Sequence, residues 1–261
     1  MVAVGANDTL VTIHGSGLVA KSLVQVDGVL WTITPVQFVD GSTLQFSMPV
    51  SYFSVQYNHT IAVQNPQATL SNVLLLAVGV AAPSFTATSV VNAGSFAGGP
   101  LAPGEIVTIF GTNLTGNVTF DNIPATIVYS SATQISATVP YSVFGPKTSL
   151  QIGSSVPVSL DVAASAPGIF AAVSNGDGTL TLYATGCGVL TQDALPVCQL
   201  PVSATLNGEL AQVLYAGIAP GLVEGANQIN IAIPSDIGSG QITIVLTAGT
   251  ASSKAFSYTL Q

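Results

Sequence analysis

The sequence predicts an all-β chain of three tandem immunoglobulin-like β-sandwiches. Three observations predict it: one pattern occurs three times, apolar side chains alternate with period two inside each copy, and turn dipeptides fall at matching places between the alternating runs. The copies open with TIHGSGL (12–18), TIFGTNL (108–114) and, more loosely, YATGCGV (183–189). Their order and spacing divide the chain into residues 1–81, 82–166 and 167–261. Linkers are expected at 79–85 and 163–170, where alanine and proline interrupt the alternation. Both are short, which predicts modules packed end to end.

Each element follows from local chemistry. After the opening strand comes a hairpin with a turn dipeptide at its tip: Asp27-Gly28, Asp121-Asn122 or Asn207-Gly208. Such pairs tolerate the positive φ that tight hairpin turns demand. A strand ending in proline comes next: STLQFSMP (42–49), TQISATVP (133–140) and NQINIAIP (227–234). In the last, Ile229, Ile231 and Ile233 share one face, and Gln228, Asn230 and Ala232 share the other. Closing hairpins are predicted at 59–78, 147–163 and 240–260, giving about seven strands per copy, as in an immunoglobulin-like sandwich. No stretch has a helical period.

Composition removes several functions. Only 5% of the residues are charged, against about 25% in ordinary soluble domains, so Ser, Thr, Asn and Gln must wet the surface. The only cations are Lys21, Lys147 and Lys254, and the formal net charge is -8. Phosphate recognition needs clustered Lys and Arg, which argues against nucleic acid and anionic membranes as partners. The most apolar run, Val73 to Ala82, is half the roughly 20 residues of a membrane-spanning helix. The N-terminus lacks the basic and apolar regions of a secretory leader, so the chain reads as a mature or excised segment whose leader lies elsewhere. Four Asn-X-Ser/Thr sequons, at Asn7, Asn58, Asn113 and Asn117, matter only in a glycosylating host.

The stretch TIHGSGL places His14 two residues before Ser16 among glycines, as a hydrolase site would. The repeat argues otherwise. His14 is replaced by Phe110 and Thr185, and Ser16 by Thr112 and Cys187, whereas Gly15, Gly111 and Gly186 persist with an apolar Leu18, Leu114 or Val189 behind them. A bend that favours glycine is the expected reason. His59 follows Asn58 in an alternating strand, there is no Gly-X-Ser-X-Gly elbow, and two histidines leave little for a transition metal. No catalytic, cofactor-binding or metal residue is assigned, and the chain is expected not to be an enzyme. SNGDGTL (174–180) supplies one carboxylate, Asp177, too few for a calcium loop, and is read as a turn. Cys187 and Cys198 fit a local disulfide in an oxidising compartment. Trp31, Tyr52, Phe53, Tyr57, Tyr129, Tyr141, Phe144 and Tyr215 stand near strand ends or turns, where exposed rings can stack on sugars, and Trp31, Tyr52, Tyr57, Tyr141 and Tyr215 are singled out as candidate contacts; a lone tryptophan on the early hairpin is more often core. Few ionisable groups predict a stability that varies little with pH.

Two family resemblances add to this reading. LVTIHGSGL, VQVDG and VQNPQATLSN make residues 5 to 80 resemble an IPT/TIG domain, the immunoglobulin-like module of plexins, some transcription factors and bacterial surface proteins. The DNA contact of the transcription factors is not implied, because the corresponding loops lack Lys and Arg. VTIFGTNL, FDNIPATIVYSSATQISATVPYSVFG and PVSATLNGELAQVLYAGIAPGLVEGANQINIAIP make residues 88 to 261 resemble the uncharacterised C-terminal module of large secreted proteins of acidobacterial type. That resemblance implies location and architecture and no chemistry.

The expected function is therefore a non-enzymatic extracellular or cell-surface segment, a stalk, spacer or adhesive piece. Its weakly charged sheet edges are expected to favour homo-oligomers or filaments, since lysine usually guards such edges. The alternative is a module that binds polysaccharide or a surface protein and is accessory to a secreted enzyme.

Overall fold

The computed structural model describes residues 1–79 and 81–261; Val80, within the first expected linker, lies outside them. The chain is all-β, and its only helical turns among the described residues are the 3-10 segments Val50–Phe53 and Ala87–Ser89. It is built of tandem immunoglobulin-like sandwiches, and it divides into two compact units, Met1–Ala81 and Ala82–Gln261.

In the first unit, Thr9–His14, Thr43–Met48 and Gln37–Asp40 form one sheet in that order. The facing sheet runs Val2–Ala3, Leu74–Gly79, Tyr57–Gln64, Leu23–Val26, Val29–Leu30. Alternation puts Val11, Ile13, Leu44 and Phe46 of one sheet against Val24, Val26, Ile61 and Val63 of the other, with Trp31 and Phe53 closing the core. Each large apolar side chain so buried contributes about 1.5–3 kcal/mol.

The second unit holds two sandwiches. The first has Thr126–Ser130, Gln134–Thr138, Ile106–Phe110 and Val90–Asn92 facing Ile123–Pro124, Val118–Phe120, Lys147–Ile152 and Val158–Asp161. The second has Gly168–Ser174, Thr179–Thr185, Asn227–Ala232 and Val213–Ile218 facing Glu209–Ala211, Val202–Leu206 and Gly240–Ala248. Gly240–Ala248 also pairs with Ala251–Ser252 and Phe256–Leu260. Each sandwich has its own core, and a small seam of Ile106, Ala219 and Ala226 joins them. The segment between them is held from both sides. Ala163 N–H donates to Leu101 O at 2.7 Å, Ala166 N–H to Gly186 O at 2.8 Å, and Ser165 Oγ to Ala248 O at 2.6 Å.

The three turn dipeptides have the geometry their composition predicts, with φ of 52° and 74° at Asp27-Gly28, 50° and 66° at Asp121-Asn122, and 50° and 91° at Asn207-Gly208. Each first turn residue also does a second job. Its N–H donates to the carbonyl of a residue on the neighbouring strand, and its side-chain Oδ1 accepts that residue's N–H. The partners are Thr60, Ser149 and Thr243, and all six distances are 2.8–2.9 Å. A serine serves the closing hairpins in the same threefold way. Ser71, Ser155 and Ser253 accept from the N–H groups of Val63, Ile152 and Leu246 at 2.9–3.0 Å and donate their own N–H to the same residues' carbonyls.

The glycine reading needs a correction. The left-handed backbone common to the three opening motifs lies two residues beyond Gly15, Gly111 and Gly186: Gly17 has φ 69°, Asn113 52° and Gly188 88°. At Gly111 the constraint is space, since a methyl group would collide with the carbonyl oxygen of Ser84; Gly186 is itself left-handed, with φ 78°, and a methyl group there would also strike the carbonyl oxygen of Ala166. At Gly15 it would meet only the Leu18 side chain, at an ordinary 3.7 Å.

Edge protection also differs from expectation. Three corresponding outer strands each carry a bulge, leaving Val39, Val128 and Leu214 unpaired, and a fourth bulge leaves Phe170 unpaired. Bulges twist an edge out of the flat geometry that recruits another strand, so these edges are guarded without lysine. Cys187 and Cys198 are bonded, with Cα atoms 5.9 Å apart.

Candidate functional site

A concave feature lined by aromatic rings lies between the two sandwiches of the second unit. It is a groove of about 560 Å³. Its floor is the outer face of the sheet containing Ile106–Phe110 and Gln134–Thr138, where the Thr108 and Ser136 hydroxyls stand 3.0 Å apart. Tyr183, Ala93 and Ala226 complete the floor, and Gln134 contributes an amide. Phe96, Tyr129, Phe170, Leu222 and Val223 form the walls. The rings are open to solvent: Phe96 is 60% exposed, Tyr129 51% and Phe170 38%. No Asp, Glu, Lys or Arg lines it.

Backbone irregularities present these side chains. Phe170 and Val128 are the unpaired residues of two bulges, which turn a side chain out of the regular alternation. Phe96 has φ 50°, a left-handed conformation uncommon for a bulky residue and found where surrounding structure enforces it. Asn92 enforces it here. Its Oδ1 accepts from Gly94 N–H at 2.9 Å and Ser95 N–H at 3.0 Å, while its main chain bonds Phe96 and Ala97. Its Nδ2 donates to Ala166 O and to Glu105 Oε1, each at 2.9 Å. Gly168 is glycine because a methyl group there would strike the Asn92 amide.

Glu105 stands behind this wall, 1% exposed. Its Oε2 accepts from Ala102 N–H at 2.8 Å. Burial pushes its carboxyl up to about 8, against the opposing pull of the bonds from Ala102 and Asn92. The next residue, Ile106, donates its N–H to Thr185 Oγ1 at 2.7 Å, and that hydroxyl donates to Gly225 O at 2.8 Å. Glu224 closes the far side: Thr126 Oγ1 donates to its Oε2 at 2.6 Å and Thr138 Oγ1 to its carbonyl at 2.7 Å. The burial of Glu105 runs against the expectation of pH-indifferent stability, because scarcity of charge says nothing about the burial of the charges present.

The five aromatic residues singled out from sequence lie elsewhere. Trp31 is 6% exposed, its ring 5.0 Å from Phe46 and 5.2 Å from Tyr52, with Nε1 donating to Thr34 Oγ1 at 3.0 Å. It reaches the floor of a shallow groove bordered by Lys21, Leu23 and Ile33, but it is chiefly core. Tyr52 packs against the same core. Tyr57 is 52% exposed and stands edge-on to His59. Tyr141 lies over Gly104, its hydroxyl pushed up to about 12 by burial and by the Glu224 carboxylate. Tyr215 donates to Ile218 O at 2.9 Å, and burial raises its hydroxyl. The structure packs Tyr52 and Tyr57 on His59, with Trp31 behind Tyr52, and leaves Tyr141 and Tyr215 apart from them.

His59 is buried, with Nδ1 2.7 Å from Asp27 Oδ2 and Nε2 2.8 Å from Tyr52 O. Both ring nitrogens are thus occupied by protein oxygens. The same place in the second copy is taken by Thr148, whose hydroxyl donates to Asp121 Oδ2 at 2.7 Å, and in the third by the apolar Ile242. Burial pushes the Asp27 carboxyl up, and the bonds from His59 and Thr60 outweigh it, holding the group below the usual carboxylate range. His14 is exposed at its strand end, next to the exposed Ser16. Asp177 accepts from Thr179 N–H and Oγ1 in a turn whose glycines, 176 and 178, have φ 77° and 83°.

Residues 89–183 match the IPT/TIG domain family, covering the first sandwich of the second unit and the opening of the next. The match falls beyond residues 5 to 80, where the sequence carried that likeness. IPT/TIG and immunoglobulin-like folds are typically non-catalytic modules. No curated protein matches in sequence. Among solved structures, the chain is similar to a Bacteroides ovatus mixed-linkage glucan utilization locus protein, SGBP-B, in complex with a mixed-linkage heptasaccharide. The identity is 14% and the TM-score 0.32, over 99% of this chain and 65% of that one. It is similar to surface layer protein SbsC, domains 4–9, at 16% identity and TM-score 0.25, over 94% of this chain and 40% of that one. The titin I-band fragment I67–I69 gives 10% identity and TM-score 0.26, over 99% and 93%. The chain thus spans less than two thirds of the first two of these proteins, and none of the three likenesses speaks to chemistry.

Proposed function

We propose that the chain is a non-enzymatic segment of an extracellular or cell-surface protein, and that its second unit binds a neutral polysaccharide in the groove between its sandwiches. The observation that carries this reading is the groove itself: exposed rings of Phe96, Tyr129 and Phe170 over hydroxyls and an amide, with no charged lining. A sugar ring offers an apolar face for stacking and hydroxyls for hydrogen bonds, and a neutral one asks for no counter-charge. The occupied nitrogens of His59 support a structural rather than catalytic histidine. The disulfide supports an oxidising compartment. A spacer role accompanies binding, supported by the segment 163–166 being tied on both sides.

Affinity electrophoresis through gels of neutral polysaccharides, alongside a glycan array, tests this. The wild-type chain is retarded by at least one neutral polymer. Each of Phe96→Ala, Tyr129→Ala and Phe170→Ala weakens binding roughly three- to tenfold, in line with about 0.5–1.5 kcal/mol per ring contact. Tyr57→Ala leaves it unchanged. Binding that survives the triple groove variant, or no retardation by any glycan, removes the proposal.

A further inference from the structure

The three copies differ at one sheet edge. The opening strand is Thr9–His14 in the first copy, Ile106–Phe110 in the second and Thr179–Thr185 in the third, and each pairs on one side with the proline-ended strand. On its other side the second copy carries Val90–Asn92 and the third Gly168–Ser174, both antiparallel. In the first copy the preceding strand, Val2–Ala3, instead pairs parallel with Leu74–Gly79 in the facing sheet. Among the described residues nothing pairs with the outer side of Thr9–His14. Where Val91 lies opposite Thr108, Thr12 has no neighbour.

This edge invites a strand. It is six residues long, in unbroken register with 43–48, and carries no Asp, Glu, Lys or Arg. The opposite edge of the same sheet is bulged at Val39. Gly15 N–H donates inward to Ser42 O, and alternation along an antiparallel ladder then aims the N–H and C=O of Leu10, Thr12 and His14 outward. Leu10 is 62% exposed.

We propose that Thr9–His14 is a strand-addition edge through which two copies of this chain pair, antiparallel about a twofold axis. The occupant is a second copy because the strand is complementary to itself. With Thr12 opposite Thr12, Leu10 faces His14 and Val11 faces Ile13, so side chains of like face meet. All the outward donors and acceptors of the strand are then used, and the two three-stranded sheets become one. An isologous pair closes, so the product is a dimer and not the filament expected from unguarded edges.

Sedimentation velocity of the whole chain across a concentration series tests this, with hydrogen exchange as a second readout. The wild type shows a reversible monomer–dimer equilibrium, and the Leu10, Thr12 and His14 amides gain protection with concentration while Val11 and Ile13 do not change. Thr12→Lys sets like charges opposite at the axis. Thr12→Pro removes an outward N–H without touching the inner ladder, as proline is tolerated at edges. Each weakens dimerisation at least tenfold, whereas Thr259→Lys on the unbulged outer strand Phe256–Leu260 has no effect. A chain monomeric at millimolar concentration, a dimer indifferent to both Thr12 variants, or protection appearing only with a foreign peptide overturns the proposal.

Discussion

Glu105→Gln exchanges a carboxyl that is 1% exposed for an amide that never ionises. In the folded chain the carboxyl keeps its proton up to about pH 8, whereas the unfolded chain releases it near 4.5. Between those values the folded state binds the proton that the unfolded state has lost, so stability falls as pH rises. Below the window both states are protonated and there is no penalty; above it both are ionised and the penalty is complete. At about 1.4 kcal/mol per pH unit, the window corresponds to at most about 5 kcal/mol. For a unit of this size that is roughly 10–20 °C in melting temperature. Glutamine keeps one acceptor but sets an N–H against either Ala102 N–H or the Asn92 amide, costing about 1–3 kcal/mol. Chemical denaturation of wild type and variant from pH 5 to 9 is the assay. The wild type loses stability up to about pH 8 and then levels off, the variant holds a constant value, and the two curves cross. A flat wild-type profile, or a variant with the wild-type slope, refutes the reasoning.

Other expectations follow from the same geometry. Gly15→Ala is nearly neutral in thermal unfolding, whereas Gly111→Ala and Gly186→Ala each cost about 2 kcal/mol or more, since a carbonyl oxygen occupies the space the methyl needs. Asp121→Ala strips Ser149 N–H and the Thr148 hydroxyl of their acceptor and costs about 1–3 kcal/mol; Asp27→Ala costs more, because the second partner lost is the buried His59 ring and not a hydroxyl. Equal losses from the two would contradict the role given to His59. Reducing Cys187–Cys198 frees a bridge with a sequence separation of 11 and lowers stability by roughly 2–3 kcal/mol, read as the denaturation midpoint with and without reductant.

The layout of strands was legible because period-two alternation and turn dipeptides are local signals, and the threefold copy repeated them. Asp27, Asp121 and Asn207 could be read as turn residues from their neighbours alone. Their bonds to Thr60, Ser149 and Thr243 could not, since those cross 33, 28 and 36 residues of chain. The glycine argument went to the more visible position of TIHGSGL, while the left-handed residue sat at Gly17, where Asn113 disguised the correspondence. The groove was hidden because it draws on segments from Ala93 to Ser136 and from Phe170 to Ala226, and because no residue type announces the bulges at Val128 and Phe170. A partial signal existed in VVNAGSFAGG, where Asn92 and three glycines bracket an aromatic residue, and in LAPGEIVTIF, where Glu105 opens an apolar strand. The exposed aromatics near strand ends pointed to stacking, but Trp31 and Tyr52 had a core to fill.

Amide chemical-shift mapping during titration with a neutral oligosaccharide tests the central claim most directly. The account predicts saturable shifts gathered at Phe96, Val128, Tyr129, Phe170 and 221–223, with the first unit silent. Shifts centred on Trp31 or Tyr57, or none with any neutral sugar that retards the chain in a gel, would contradict it.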